Sequence, residues 1–527
     1  MSARTPESHT IRKIDKSTII TLMLLLIVAM VVIVWGLGKN SLYDWDEAIY
    51  AQVSKEMVQS GDWLRPHWGD KPWMEKPPLY MWMTSIFYFI FGISEFGARA
   101  PSAFSGIGLI LLTYLIGKQV KDKSVGILAS VIMLTNYQFI DFARFGTTDI
   151  TLTFFNYLTV YSYLRLKDGN KLWWYLIWIS FALGIMVKSF AGLIIPLAVM
   201  IVLTIDKGIQ SAFRSRHFWI GIVIALLLVI PWHTYMVLEY GQDFIDKYFK
   251  YHIIDRFARP IEENTGSGFF YIEVLQKFFY PWFYLTPFAL ALNIKENIKK
   301  PSSSFILLII IILVSGLYTV ARTKISWYIL PVYPALSIII ASMVMQAFKS
   351  YNTVAFSGFL ISITVTVLTV PREYVLIFGS FVALFLIILT FVKKQLSLQV
   401  IVAICFCFFA VVGINKLRVL YQGGESPAAR LAKIAGISNP NSQKPLIVLE
   451  SNSVELWEPT PRFYSNRPTL PVQSLDDIAK YTKGKVSKEI IFAKNELESL
   501  QTNYEIQILK EADPLIYANI TSRVERR

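Results

Sequence analysis

The sequence has almost nothing with which to build a metal cluster or a disulfide framework. Its 527 residues include two cysteines, Cys405 and Cys407. They lie too close for an ordinary disulfide, lack metal-ligand companions and sit in an apolar run, so they read as small membrane residues. Charge is scarce as well. Charged residues make up 17% of the chain, against 54% hydrophobic and 15% aromatic, at a mean hydropathy of +0.47. That balance excludes a soluble globular chain and predicts a polytopic membrane protein. The formal net charge of +14 contains no single basic block. Its Lys and Arg residues recur in short clusters between apolar runs, the footprint of membrane topology, so no nucleic-acid partner is expected. No internal repeat is visible, and the polar C-terminal part lacks a Gly-rich phosphate loop.

What is present is a long series of apolar runs. The first, from Thr18 to Gly38, follows Arg12, Lys13 and Lys16; at ~20 residues it suits a spanning helix rather than a cleavable signal. About fourteen candidate runs are present in all, among them 124–142 and 373–393, the last at 397–414. Clusters such as Arg165 with Lys167, Arg214 with Arg216, Lys299 with Lys300, and Lys393 with Lys394 fall in alternate loops and should be cytoplasmic. Residues 78–117 then allow one net crossing, with a helix break near "FGISEFGARAPS". The expected fold is mostly α, with about thirteen transmembrane helices, the N-terminus inside and the C-terminus outside. Residues 1–420 form the membrane domain, with long extracytoplasmic loops at 39–77 and 239–277. Residues 421–527 form a small extracytoplasmic α/β domain, because "KPLIVLE", "EIIFAK" and "YEIQILK" read as strands between the helical stretches "SLDDIAKY" and "NELESLQ".

With this topology the unusual polar residues gather on the outer face. Asp44, Asp46 and Glu47 follow the first span, and Glu75 and Lys76 stand where the first outer loop re-enters the membrane. Asp141, Arg144 and Asp149 mark one outer turn and Lys188 another. His252, Asp255, Arg256 and Arg259 occupy the second long loop; Arg322, Lys324, Tyr328 and Tyr333 follow. A single interfacial Lys or Arg usually just snorkels. Mixed acids and bases at one membrane edge instead suit a substrate with a charged phosphate and a reactive hydroxyl: the bases bind the phosphate and a carboxylate takes a proton. A transporter for a lipid-linked or anionic solute is the competing class, but it should hold ionisable groups near mid-membrane on broken helices. Pro77 and Pro78 hold Lys76 in extended backbone and favour a helix start just after.

Four ordered motifs, "DWDEAIYAQ", "EKPPLYMW", "ARFGTTDITLTFF" and "KISWYILPVYPAL", make the chain resemble integral-membrane glycosyltransferases of the GT-C fold. The similarity is to the aminoarabinose (lipid A) transferase and protein O-mannosyltransferase-like branch, and it covers essentially the whole chain. It implies an inverting transfer of a sugar from a polyprenyl-phosphate carrier to lipid A, a protein Ser/Thr or a glycan. The location it implies is the outer face of a bacterial inner membrane, with membrane lipids as further partners. By the resemblance, Asp46 is the essential acid, Asp149 a second active-site acid, Lys76 the lysine that meets the lipid phosphate, and Tyr328 a tyrosine near it. Many relatives carry arginine where this chain has Ile49, so that contact falls to Arg144, Arg256, Arg322 or Lys324. Together with Glu47, these complete the expected substrate-binding set. No cofactor is required; a divalent metal ion on Glu75 and His252 is an option, although no metal-ligand spacing is present.

Overall fold

The computed structural model describes residues 15–69, 71–260, 264–298, 301–350, 353–369, 394–440, 442–482 and 487–523. Helix α1 (Lys16–Val34) starts where the Asp15 carboxylate accepts the Thr18 N–H at 2.7 Å, a side-chain cap for an otherwise orphaned donor. Much of its surface is exposed Ile, Leu, Met and Val, an arrangement suited to lipid and costly in water. Helix α2 (Asp46–Ser60) is polar and closes at Gly61, whose φ of 73° gives the left-handed residue that ends many helices.

Helix α3 (Leu79–Phe91) has 13 residues, about 20 Å at ~1.5 Å each, which is short of a ~30 Å hydrocarbon core. It stops at Gly92, with φ 75°. Helix α4 (Glu95–Val120) has 26 residues, capped by the Ser94 hydroxyl accepting the Gly97 N–H at 3.2 Å. Only one of the two is long enough to cross, consistent with the single net crossing expected of 78–117.

The run expected at 124–142 is not one straight span. It divides into α5 (Lys123–Leu134) and α6 (Tyr137–Ala143), bent by 73°. Thr135 Oγ1 donates to the Val131 and Ile132 carbonyls, and the Asn136 side chain accepts the Phe139 N–H at 2.7 Å. Side chains that bond nearby backbone compete with the helix ladder and favour such a break. Helix α7 (Thr148–Leu166) follows, then α8 (Trp173–Lys188), a short 3-10 turn (Ser189–Leu193) and α9 (Ile194–Ile205).

Five helical stretches among the described residues are long and apolar enough to cross a membrane, or six if α5 and α6 form one span. They include Arg216–Ala258 and Ser326–Lys349, the second largely buried among its neighbours. Leu79–Phe91, Phe305–Val320 and Thr353–Thr366 are apolar but shorter. The run expected at 373–393 lies outside the described residues.

The C-terminal part forms a five-stranded sheet in the order β4-β3-β5-β7-β6. Its strands are β3 (Leu446–Leu449), β4 (Thr469–Val472), β5 (Lys488–Ala493), β6 (Tyr504–Ala512) and β7 (Leu515–Ser522); β1 (His67–Trp68) and β2 (Lys71–Pro72) are a small hairpin in the first outer loop. β3 runs parallel to β4 and β5, while β7 is antiparallel to β5 and β6. The two-residue period sorts the core. Leu446 and Val448 pack with the helix Pro427–Ser438 on one face, and Ile447 and Leu449 pack with Ile478 and Leu500 on the other. The three strands expected from the sequence are present. β4 and β7 were not expected; "TLPV" carries Pro471, which removes a ladder donor, and β4 accordingly lies at an edge.

Candidate active site

The loop between α1 and α2 enters a cavity of about 930 Å³. Trp45 adopts φ 72°, ψ −124°, a strained conformation for a residue with a Cβ. The turn puts Asp46 at the first position of α2, where the helix dipole favours a carboxylate, and in the cavity wall. Burial pushes the Asp46 carboxyl above its ordinary range, while Lys76, Lys188 and Arg256 pull it back. Tyr50, one turn along α2, lines the same wall.

Lys76 and Glu75 line the cavity just before α3. Trp73, Met74, Pro77 and Pro78 around them are buried, so the pair is anchored on both sides. Desolvation pushes the Lys76 ammonium below its ordinary value, opposed by Glu75 and Asp46.

A third element comes from α7 and α8. Lys188 Nζ meets Asp149 Oδ1 at 2.6 Å, with the side chains 15% and 9% exposed. Lys188 lines the cavity and Asp149 stands behind it. The same Nζ lies 5.1 Å from the centre of the Tyr328 ring, and Arg256 Nη1 donates to the Tyr328 hydroxyl at 3.3 Å. Asp149, Lys188, Tyr328 and Arg256 thus form one connected chain. Lys188 was visible in the sequence at an outer turn but was not among the expected site residues; nothing in its own neighbourhood distinguishes it. The following Ser189, with φ 53°, also lines the cavity, so a strained residue neighbours both Asp46 and Lys188.

Several expected site residues stand elsewhere. Glu47 is fully buried and holds Arg99 by Nε–Oε1 and Nη2–Oε2 contacts of 2.8 Å. It also accepts the Gly146 and Tyr43 N–H groups, so its acceptors are spent within the protein and substrate binding is corrected to a structural role. Lys324 is buried and donates to the Tyr318 carbonyl at 3.0 Å and to the Thr319 carbonyl. Arg322 is exposed, and neither lines the cavity. Arg144 does line it, but its Nη1 donates to the Ile33 and Trp35 carbonyls at 2.6 and 2.8 Å. The His252 side chain lies outside the described residues, and among those described no three His, Cys, Asp or Glu residues gather as a metal site.

Asp44, between Tyr43 and Trp45, has a different task. It accepts the Thr460 N–H at 2.9 Å and the Trp457 N–H at 3.3 Å, and the Trp45 and Trp457 rings meet edge-on at 5.4 Å. The C-terminal sheet region is thereby docked beside the cavity. Burial pushes the Asp44 carboxyl from 3.8 up to about 7. A raised carboxyl favours the protonated folded state, so stability falls as pH rises from near the unfolded value toward 7 and is level above it. Asp44→Asn is therefore expected to melt above the parent at pH 8 and level with it near pH 4. Melting scans in detergent across that range check this; a pH-independent difference would count against it.

A family model described as dolichyl-phosphate-mannose-protein mannosyltransferase matches residues 75–235. An uncharacterized protein of Aquifex aeolicus is 28% identical over 322 residues, 60% of this chain and 63% of that protein. The undecaprenyl phosphate-alpha-4-amino-4-deoxy-L-arabinose arabinosyl transferase of Yersinia pestis is 31% identical over 320 residues, 59% of this chain and 57% of that protein. The chain thus spans somewhat less than two thirds of these relatives. Among solved structures, ArnT from Cupriavidus metallidurans bound to undecaprenyl phosphate matches with a TM-score of 0.74 at 19% identity, covering 95% of this chain and 98% of that one. The Archaeoglobus fulgidus oligosaccharyltransferase matches at 0.57 and 10%, covering 91% and 70%. These likenesses show a shared fold. The resemblance carried by the four motifs, to GT-C glycosyltransferases of the aminoarabinose-transferase and mannosyltransferase type, is borne out.

Proposed function

We propose that the protein is an inverting glycosyltransferase that moves a sugar from a polyprenyl-phosphate carrier to an acceptor on lipid A, a protein or a glycan. The observation that carries this is one carboxylate, Asp46, facing three cations, Lys76, Lys188 and Arg256, across one cavity. The names of the Yersinia relative and the Cupriavidus structure, which both include undecaprenyl phosphate, support the same donor class. In this reading the site opens to the outer face of a bacterial inner membrane. About thirteen spans carry it, and residues 421–527 form the outer α/β domain.

The leaving group is a lipid phosphate. As the glycosidic bond breaks, negative charge grows on its oxygens, and Lys76, Lys188 and Arg256 stabilise that charge from fixed positions. Asp149 holds Lys188 in place, and Tyr328 does the same for Arg256. The acceptor oxygen attacks the anomeric carbon from the opposite side, and Asp46 takes its proton. Glu75 balances the positive charge of Lys76 before the donor arrives. Three side-chain cations already meet the phosphate, so the proposal needs no divalent metal.

The test is label transfer by the purified full-length protein in lipid nanodiscs, supplied with tritiated undecaprenyl-phosphate-linked 4-amino-4-deoxy-L-arabinose. Release of label from the lipid is expected. No release in nanodiscs, with uptake of intact donor by sealed proteoliposomes of the same protein, would favour a transporter instead. Chelation by EDTA is expected to leave the rate unchanged, and loss of activity restored by a divalent ion would return Glu75 and His252 to consideration.

A further inference from the structure

The bent pair of α5 and α6 brings a further carboxylate to the cavity, besides Asp44, Asp46 and Glu75. Asp141 lines it, yet among the described residues its side chain accepts no hydrogen bond and closes no ion pair. Its charged neighbours are Glu47, Arg144 and Arg99, whereas those of Asp46 are Lys76, Lys188, Asp149 and Arg256. Asp141 and Asp46 therefore face different charged groups, and the Asp141 side of the cavity is treated as its second lobe. Two rings line the Asp141 lobe: Tyr43, packed on Phe145 at 5.6 Å, and Trp327, packed on Phe142 at 5.5 Å.

We infer that this second lobe is the acceptor subsite and that it takes a neutral, hydroxyl-rich group, a sugar ring, through Asp141 and the faces of Tyr43 and Trp327. The inference rests on the transferase reading above. Inversion puts the acceptor opposite the leaving phosphate, so it belongs away from the lobe that holds the three cations. The charge of the second lobe selects its ligand. Two guanidinium groups face two carboxylates, so the lobe has no excess of either sign for a phosphate or an ammonium ion. Arg99 is consumed by Glu47 and the Leu37, Asn40 and Ser41 carbonyls, and Arg144 by the Ile33 and Trp35 carbonyls. An open carboxylate is an acceptor only, and it matches a pair of ring hydroxyls. Aromatic rings supply the apolar contact for the sugar's C–H face, the usual division of labour in small-molecule sites.

The experiment uses the full-length protein in nanodiscs with the tritiated donor and two acceptor probes, octyl β-glucoside below its micelle concentration and octyl phosphate. Label is expected on the glucoside. Asp141→Asn should raise the glucoside KM about tenfold with kcat and acceptor-independent donor hydrolysis little changed, and Trp327→Ala should act in the same direction. Preferential labelling of octyl phosphate, an unchanged KM in both variants, or an equal fall in donor hydrolysis would each overturn the subsite. A parent protein that releases no label from the donor at all would instead sink the transferase reading beneath it.

Discussion

Asp46→Asn is expected to lower sugar transfer by about 10²–10⁴-fold, the range general base catalysis contributes, while donor affinity is kept or improved. The reason for the split is geometric. Asparagine matches the shape of aspartate at the start of α2, so the loop from Tyr43 to Tyr50 keeps its course. Lys76, Lys188 and Arg256 stay in place, and removing a nearby negative charge leaves them more attractive to a lipid phosphate. Single-turnover rates and donor binding, measured on the same nanodisc sample, separate the two effects. The parent should also show an acid limb. Because burial raises the Asp46 carboxyl, the base becomes protonated, and transfer falls, at a pH above the ordinary carboxylate range. That limb should vanish in the variant. An Asp46→Asn protein that transfers at the parental rate would remove Asp46 from the mechanism.

Arg99→Met is expected to destabilise the protein by about 3–5 kcal/mol, the cost of leaving a buried charge without its partner. Glu47 is 0% and Arg99 3% exposed, so the orphaned carboxylate stays shielded from solvent. The pair is also a junction. Arg99 on α4 bonds the carbonyls of Leu37, Asn40 and Ser41 after α1, while Glu47 on α2 bonds Gly146 between α6 and α7. Four parts of the wall around Asp46 are thus held by one ion pair. Denaturation in detergent should show the loss, and Glu47→Gln with Arg99→Met together should cost less than the sum of the single changes, because no unpaired charge remains. Had Glu47 bound substrate, Glu47→Gln would raise the donor KM at parental stability.

The C-terminal strands β3, β5 and β6 were legible because short β-branched runs bounded by polar turns have few other outcomes. Apolar length and the spacing of Lys and Arg were enough to expect a membrane protein with its unusual polar residues at one edge. The motif order was enough to find the family it resembles and to mark candidates, of which Asp46, Lys76 and Tyr328 line the cavity and Asp149 pairs with Lys188 behind it. Those features are local: hydrophobicity, charge and backbone stiffness act within a few residues.

The division of labour in "YDWDEAIY" was not local. Three carboxylates stand within four residues, and only the family resemblance separates Asp46 from the other two. In the folded protein Asp44 docks the C-terminal sheet region, Asp46 faces the cavity and Glu47 neutralises Arg99. Each role depends on a partner dozens to hundreds of residues away. The same holds for Lys188, defined by Asp149 and Tyr328, and for Asp141, which a 73° bend brings to the cavity. The sequence by itself determined the apolar, membrane-type character and the chemical inventory, since these follow from composition and short-range pattern. Only the tertiary structure decided which charges are paired and which remain open, because the energy of a charge in a low-dielectric wall is set by what packs against it.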